Sequence, residues 1–169
     1  MSKNYLSIYA KSFSWASFFL PKKIYKKCST LYDFCRSLDN IADQDLDLNT
    51  KIKQFNKFKD KFLNENTDDE IITRMKKLIN DYNISKKIVY DLFDGVEYDL
   101  KKEVKINSKK ELLIYSYRVA GTVGLMMAKI LSVKRKVSLK SAIDLGIAMQ
   151  LTNISRDVIE DSKKNRKYI

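Results

Sequence analysis

Beginning at Ile24, apolar positions recur as Leu31, Phe34, Cys35, Leu38 and Ile41, the three-and-four spacing that lines up side chains along one face of a helix. Pro21 precedes this run and Lys22 and Lys23 follow it, so the helix is predicted to open there, since proline suits a first turn. The acidic, turn-prone stretch DQDLDLN (43–49) should end it. The same periodicity predicts helices over 50–64, 69–80 and 85–99, separated by the polar breaks NENTDD (64–69) and NDYN (80–83). KKEVKINSKK (101–110) reads as a longer connection. Ser108, with Glu111 three residues on, is a predicted N-cap for a helix over 109–132, and Ser138 for one over 139–162. Alternating apolar and polar runs are almost absent, so the predicted class is all-α, with residues 1–169 in one domain. No internal repeat or low-complexity tract argues for a solenoid.

Composition narrows the chemistry. A hydrophobic content of 44% supplies enough material for a packed core. The net charge of +12 suits an anionic partner, but Arg provides only six of the 33 basic residues and they are scattered. Base readout favours Arg forks, so no nucleic-acid partner is expected. The chain has no His, which excludes imidazole general bases, His triads and most zinc sites. Acid–base and metal chemistry must therefore fall to carboxylates, Tyr or Lys. Cys28 and Cys35 lie seven apart on one predicted helix, beyond disulfide reach, and read as reduced thiols. No secretory leader opens the chain, and its longest apolar stretch, VAGTVGLMMA (119–128), is too short to cross a bilayer. A cytoplasmic protein is expected, with peripheral membrane association left open.

Two polar stripes interrupt the apolar pattern. AMQLTNISRDVIED (148–161) sets Asn153, Asp157 and Asp161 at steps of four, with Arg156 among them. Steps of four drift by only ~40° each, so the three side chains share one helix face over ~12 Å. FCRSLDNIAD (34–43) repeats the theme with Arg36, Asp39 and Asp43. Like charges four apart cost a helix a few tenths of a kcal/mol unless a cation neutralises them. Either these are two solvated acidic faces, or they face one another and hold Mg²⁺. Magnesium takes one or two carboxylates and completes its shell with water and phosphate oxygens, so such a pair would also hold a diphosphate. Arg36 and Arg156 could then clamp the remaining oxygens.

AKSFSWASFFLP (10–21), LYDFCRSLDNIAD (31–43), DGVEYDL (94–100), YSYRVAGTVG (115–124) and QLTNISRDVIED (150–161) together resemble the squalene/phytoene synthase family, in that family's order. The resemblance spans nearly the whole chain and implies an isoprenoid-synthase helical bundle around a central apolar cavity. It also implies that Asp39, Asp43, Asn153, Asp157 and Asp161 hold Mg²⁺, with Mn²⁺ as an alternative, and that Asp39, Asp43, Asp157 and Asp161 serve catalysis with Tyr32 and Tyr115 near the reacting carbons. Arg36 and Arg156 would contact diphosphate. Ser12 and Phe13 would lie in a flap over the substrate, and Val119, Ala120, Val123, Gly124 and Gln150 along the pocket. Asn40 departs from the family, which often has an acidic residue there. Gly121 and Gly124 cost about 1 kcal/mol each inside a helix, explained by close helix packing or, as favoured here, by room for a prenyl chain.

The implied reaction joins two prenyl diphosphates head to head through a cyclopropyl diphosphate. Bulky aromatics in relatives making thirty-carbon products stand where this chain has Ser17 and Ser29, so a deeper pocket for geranylgeranyl diphosphate, and phytoene as product, is expected. NADPH is not expected, because phytoene formation needs no reductant and no glycine-rich dinucleotide motif is present. Relatives continue past NRKYI through further helices, so the chain reads as the N-terminal part of the family domain, and a bundle without those helices should expose an apolar face. The alternatives are a farnesyl diphosphate-using squalene or dehydrosqualene-type synthase, and a non-catalytic prenyl-diphosphate-binding module.

Overall fold

A computed structural model describes residues 20–64 and 67–169. Its order is α1 (Lys22–Asp43), α2 (Leu48–Leu63), α3 (Glu70–Asp81), α4 (Lys86–Asp99), β1 (Val104–Lys105), α5 (Lys109–Ser116), a π-helical turn (Tyr117–Gly121), α6 (Thr122–Ile130), α7 (Lys136–Lys163) and β2 (Arg166–Lys167). Pro21 caps the start of α1. Asp47 accepts from the Thr50 amide at 3.0 Å to open α2, and Asp69 caps α3 through the Ile71 and Ile72 amides. As predicted, the Ser108 hydroxyl accepts from the Glu111 amide at 3.2 Å, while the Glu111 carboxylate reaches back to the Asn107 amide at 2.9 Å. Ser138 is not a cap: α7 begins at Lys136, with Arg135 at the N-cap position and no side-chain bond there. Ser132, at φ 61, has already turned the chain out of α6 and set the new helix direction before Ser138 is reached.

α1 is the central rod. Leu31, Phe34 and Leu38 are fully buried on it, and the Phe34 ring meets Phe58, Phe62 and Phe93 at centroid distances of 5.5, 5.6 and 6.0 Å. Phe62 and Phe93 cross edge to face at 5.3 Å. This aromatic seam joins α1 to α2 and α4, and aromatic pairs of this kind add about 1 kcal/mol each beyond area burial. Buried Asp33 on the same helix pairs with Arg74 of α3 at 3.5 Å. Cys28 is buried and Cys35 half-buried, both as free thiols whose pKa burial raises.

The 109–132 segment is helical throughout but not uniformly α. One widened turn over Tyr117–Gly121 separates α5 from α6, and such turns recur at functional sites because they re-aim the side chains they carry. α7 crosses this turn and α6 at very short range. A Cβ on Gly124 would lie 2.2 Å from the Ala142 carbonyl oxygen, and one on Gly146 2.4 Å from that of Ala120. Gly121 likewise faces Ile143 and Ile147 of α7. Close helix packing, rather than room for a prenyl chain, is thus what these glycines provide. Only Gly146 and Ile154 of α7 are buried among the described residues. Its outer side shows Val137, Leu145 and Ile159 at 70, 63 and 74% exposure, the bare apolar face anticipated from sequence.

The connection 101–110 holds what periodicity did not predict. β1 pairs in parallel with β2, Val104 opposite Arg166, through Val104 N–H to Asn165 O at 3.1 Å and Ile106 N–H to Lys167 O at 3.0 Å. Asn165, at φ 54, makes the turn out of α7 that allows this, a conformation asparagine tolerates better than most residues. No helix among the described residues is long and apolar enough to cross a membrane.

Candidate active site

α1, α4, the π turn and α7 enclose a cavity of about 330 Å³ whose walls carry Arg36, Asp39, Asp43, Val96, Asp99, Tyr115, Val119, Gln150, Asn153, Ile154, Asp157, Asp161, Arg166 and Tyr168. The two acidic stripes therefore face one another. Arg36, Asp39 and Asp43 come from one wall and Gln150, Asn153, Asp157 and Asp161 from the other, with predicted Tyr115 and Val119 between. This described part of the bundle interior is a polar mouth, and the apolar interior on the far side of α1 is filled by the phenylalanine seam.

Several predicted residues lie elsewhere. Tyr32 sits one helical turn before Arg36, half-buried, but does not line the cavity. Ser29 is buried on α1, and Ala120, Val123 and Gly124 lie on the π turn and α6 outside the cavity wall. Arg156 is exposed and gives a bidentate pair to its neighbour Asp157, Nε to Oδ1 at 2.7 Å and Nη2 to Oδ2 at 2.6 Å. It steadies a carboxylate of the stripe from outside. Ser12, Phe13 and Ser17 fall outside the described residues.

Three polar residues of the wall were missed by sequence reasoning. Asp99, the last residue of α4, accepts from the Tyr115 hydroxyl at 2.9 Å and from the Tyr168 hydroxyl at 2.7 Å. The two phenol rings stack at 4.9 Å, so a carboxylate and two tyrosines from three segments brought together only by folding make one floor. Arg166 donates from Nη1 to Asp43 Oδ1 at 3.0 Å and from Nη2 to the Ala42 carbonyl at 3.2 Å. Arg166 and Tyr168 are two apart, the spacing of a strand face, but a two-residue strand is too short for its alternation to have served as a signal.

Five carboxylates against two guanidiniums leave the cavity strongly acidic. Asp39 is open to cavity water yet crowded by the walls, and burial together with Asp43 and Asp99 pushes its carboxyl up to about 7 against the opposing pull of Arg36. Burial raises Asp99 to about 6, although Arg166 and the two tyrosine hydroxyls draw it down. Asp161 is raised for the same first reason, whereas the Arg156 fork lowers Asp157. Carboxyls raised in the folded state bind protons that the unfolded chain releases near pH 4, so their stabilising contribution is present at low pH and lost as pH rises through 6 to 7. In metal-free buffer the melting temperature should accordingly rise as pH falls from 8 to 5, and added Mg²⁺ should recover much of the difference at pH 8. A flat melting temperature over that range, read by circular dichroism, would contradict this electrostatic picture.

The donors are hard oxygens, suited to Mg²⁺ or Mn²⁺ rather than to softer ions. Among the described residues no three such side chains converge on a single point as a complete protein ligand set. Mg²⁺ itself ordinarily takes only one or two carboxylates, with water and phosphate oxygens completing its shell.

The model of the squalene/phytoene synthase family matches residues 6–169. The chain is 29% identical to a 15-cis-phytoene synthase of Pantoea ananas, over 97% of its own length and 57% of that protein. It is 34% identical to a 4,4'-diapophytoene synthase of Staphylococcus haemolyticus, over 95% of its length and 58% of that protein. A crystal structure of a dehydrosqualene synthase in complex with ligand superposes with a TM-score of 0.79 at 28% identity, covering 97% of this chain and 58% of that one. The chain thus spans less than three fifths of the length of these proteins.

Proposed function

Because this chain belongs to the squalene/phytoene synthase family, we propose that its acidic cavity is the diphosphate-ionising centre of a head-to-head prenyl transferase, joining two geranylgeranyl diphosphates through a cyclopropyl diphosphate to phytoene in carotenoid biosynthesis. The observation that carries the reading is the meeting of Asp39 and Asp43 with Asn153, Asp157 and Asp161 across one small cavity. A divalent cation, Mg²⁺ foremost, would when bound draw charge onto the leaving diphosphate. The chain's own part is to hold that cation from two walls and to present the Arg36 guanidinium to phosphate oxygens. Val96, Val119 and Ile154 give the same cavity an apolar side that limits water near an allylic cation. Tyr115, its hydroxyl donated to Asp99, is held where a phenol oxygen can face developing positive charge without rotating away.

Chain length is argued from the family resemblance alone, in which relatives making thirty-carbon products have bulky aromatics where this chain has Ser17 and Ser29. Farnesyl diphosphate with a thirty-carbon product is the second reading, favoured by the 34% identity to the 4,4'-diapophytoene synthase. Incubating the protein, expressed from its complete reading frame, with each diphosphate with and without Mg²⁺ and separating products by chromatography tests both. Phytoene appearing only with Mg²⁺ supports the first, a thirty-carbon product alone supports the second, and retained diphosphate binding without product points to a non-catalytic binding module. Ser17→Phe is expected to shift product toward thirty carbons, and an unchanged profile in an active variant would remove the pocket-length argument.

A further inference from the structure

Arg166 is the cavity cation that the reaction scheme leaves without a task. Its side chain is 12% exposed, and its backbone is pinned by the parallel pairing of Val104 with Arg166. The fork spans two acceptors at once, the Asp43 carboxylate at 3.0 Å and the Ala42 carbonyl at the C-terminal end of α1 at 3.2 Å, an oxygen that also accepts from Lys51 Nζ at 3.2 Å. It also lies in the fields of Asp99 and Asp161. One guanidinium thus sits among carboxylates from α1, α4 and α7. A divalent cation entering between the stripes would bring a second positive charge to that same carboxylate, and the two charges compete for it.

We propose that Arg166 is a built-in stand-in for the metal, holding Asp43 in place while no cation is bound and ceding it when one enters, after which its freed guanidinium binds a diphosphate oxygen. This rests on the reading of the cavity as a divalent-cation and diphosphate site. It makes Arg166 a positioning residue with a particular sign: removing it tightens the metal and loosens the anion. A side chain that merely braces the fold would weaken both.

Mn²⁺ binding, followed by loss of the free-ion electron paramagnetic resonance signal, and inorganic diphosphate binding in the presence of Mg²⁺, followed by calorimetry, separate these possibilities. Arg166→Gln should bind Mn²⁺ on the order of 10-fold more tightly than the parent, the effect of losing one unit charge a few ångströms away, and inorganic diphosphate on the order of 10-fold more weakly. Lys164→Gln is the control, since Lys164 is paired to Glu160 at 2.9 Å and touches the site only through its field. Its gain in Mn²⁺ affinity should be clearly smaller. Equal gains in the two variants, or unchanged or weaker Mn²⁺ binding in Arg166→Gln with its helical signal intact, overturn the proposal. Should Arg166→Gln fail to fold, Arg166→Lys decides: it keeps the charge but cannot span both acceptors, so a rise of a few-fold in Mn²⁺ affinity is expected and no rise overturns the idea. A parent protein that binds no Mn²⁺ fails the underlying metal reading instead, and takes the proposal with it.

Discussion

Asp39→Asn is expected to lower Mg²⁺-dependent product formation by roughly 10²- to 10³-fold, the scale on which single preorganised charges at a transition state count. The same substitution should make the metal-free protein more stable, not less. Asp39 stands with Asp43 and Asp99 in a crowded wall that pushes its carboxyl up to about 7, so a neutral amide relieves repulsion the ionised acid creates. Asp157→Asn should lose activity on the same scale from the opposite wall. Unlike Asp39, it is not expected to gain metal-free stability, because its carboxylate is already bidentately paired with Arg156. Steady-state product formation and thermal melts, measured on the same preparations with and without Mg²⁺, check the pair. Loss of activity accompanied by equal loss of metal-free stability in Asp39→Asn would mean that the acidic stripe serves the fold rather than a cation.

Gly146→Ala is expected to destabilise the protein by about 2 kcal/mol net. Alanine in place of glycine inside a helix ordinarily gains close to 1 kcal/mol, but here the added carbon would stand 2.4 Å from the Ala120 carbonyl oxygen and 3.0 Å from the Gly121 Cα. Both atoms belong to the backbone of the facing turn, so the strain is relieved only by lifting α7, and overpacking against backbone lies at the upper end of the usual range, about 3 kcal/mol. A fall in melting temperature of about 4–8 °C follows for a domain of this size. The functional effect should exceed the stability effect. α7 carries Asn153, Asp157 and Asp161 and buries little besides Gly146 and Ile154, so its height over α1 is set at this crossing. A displaced α7 widens the gap between the acidic walls, and Mn²⁺ affinity should drop even in material that is fully folded. A melting temperature raised by the helix-propensity gain would show that the two helices do not approach this closely.

The periodic stripe of α1, the breaks at 43–49 and 80–83, the Ser108 cap and the spacing of Asp39, Asp43, Asn153, Asp157 and Asp161 were all legible in the order of residues, because each depends on neighbours within about one or two helical turns. So was the absence of imidazole chemistry, which composition alone decides. The sequence could equally have placed its two acidic stripes on separate solvated faces. Their meeting is the work of tertiary contacts: the phenylalanine seam that fixes α1 against α4, and the glycine crossing that brings α7 down onto the π turn. Gly124 shows the limit well, since a glycine within an apolar helix is compatible with a roomy pocket or a tight contact, and only the Ala142 oxygen, 2.2 Å from where a Cβ would stand, separates them. Arg166 and Tyr168 mark the same limit at the other end of the chain. A two-residue strand has too little periodicity to announce itself, and its partner at 104–105 is some sixty positions away, so the charge that faces Asp43 and the phenol that completes the Asp99 floor were assigned by the fold alone.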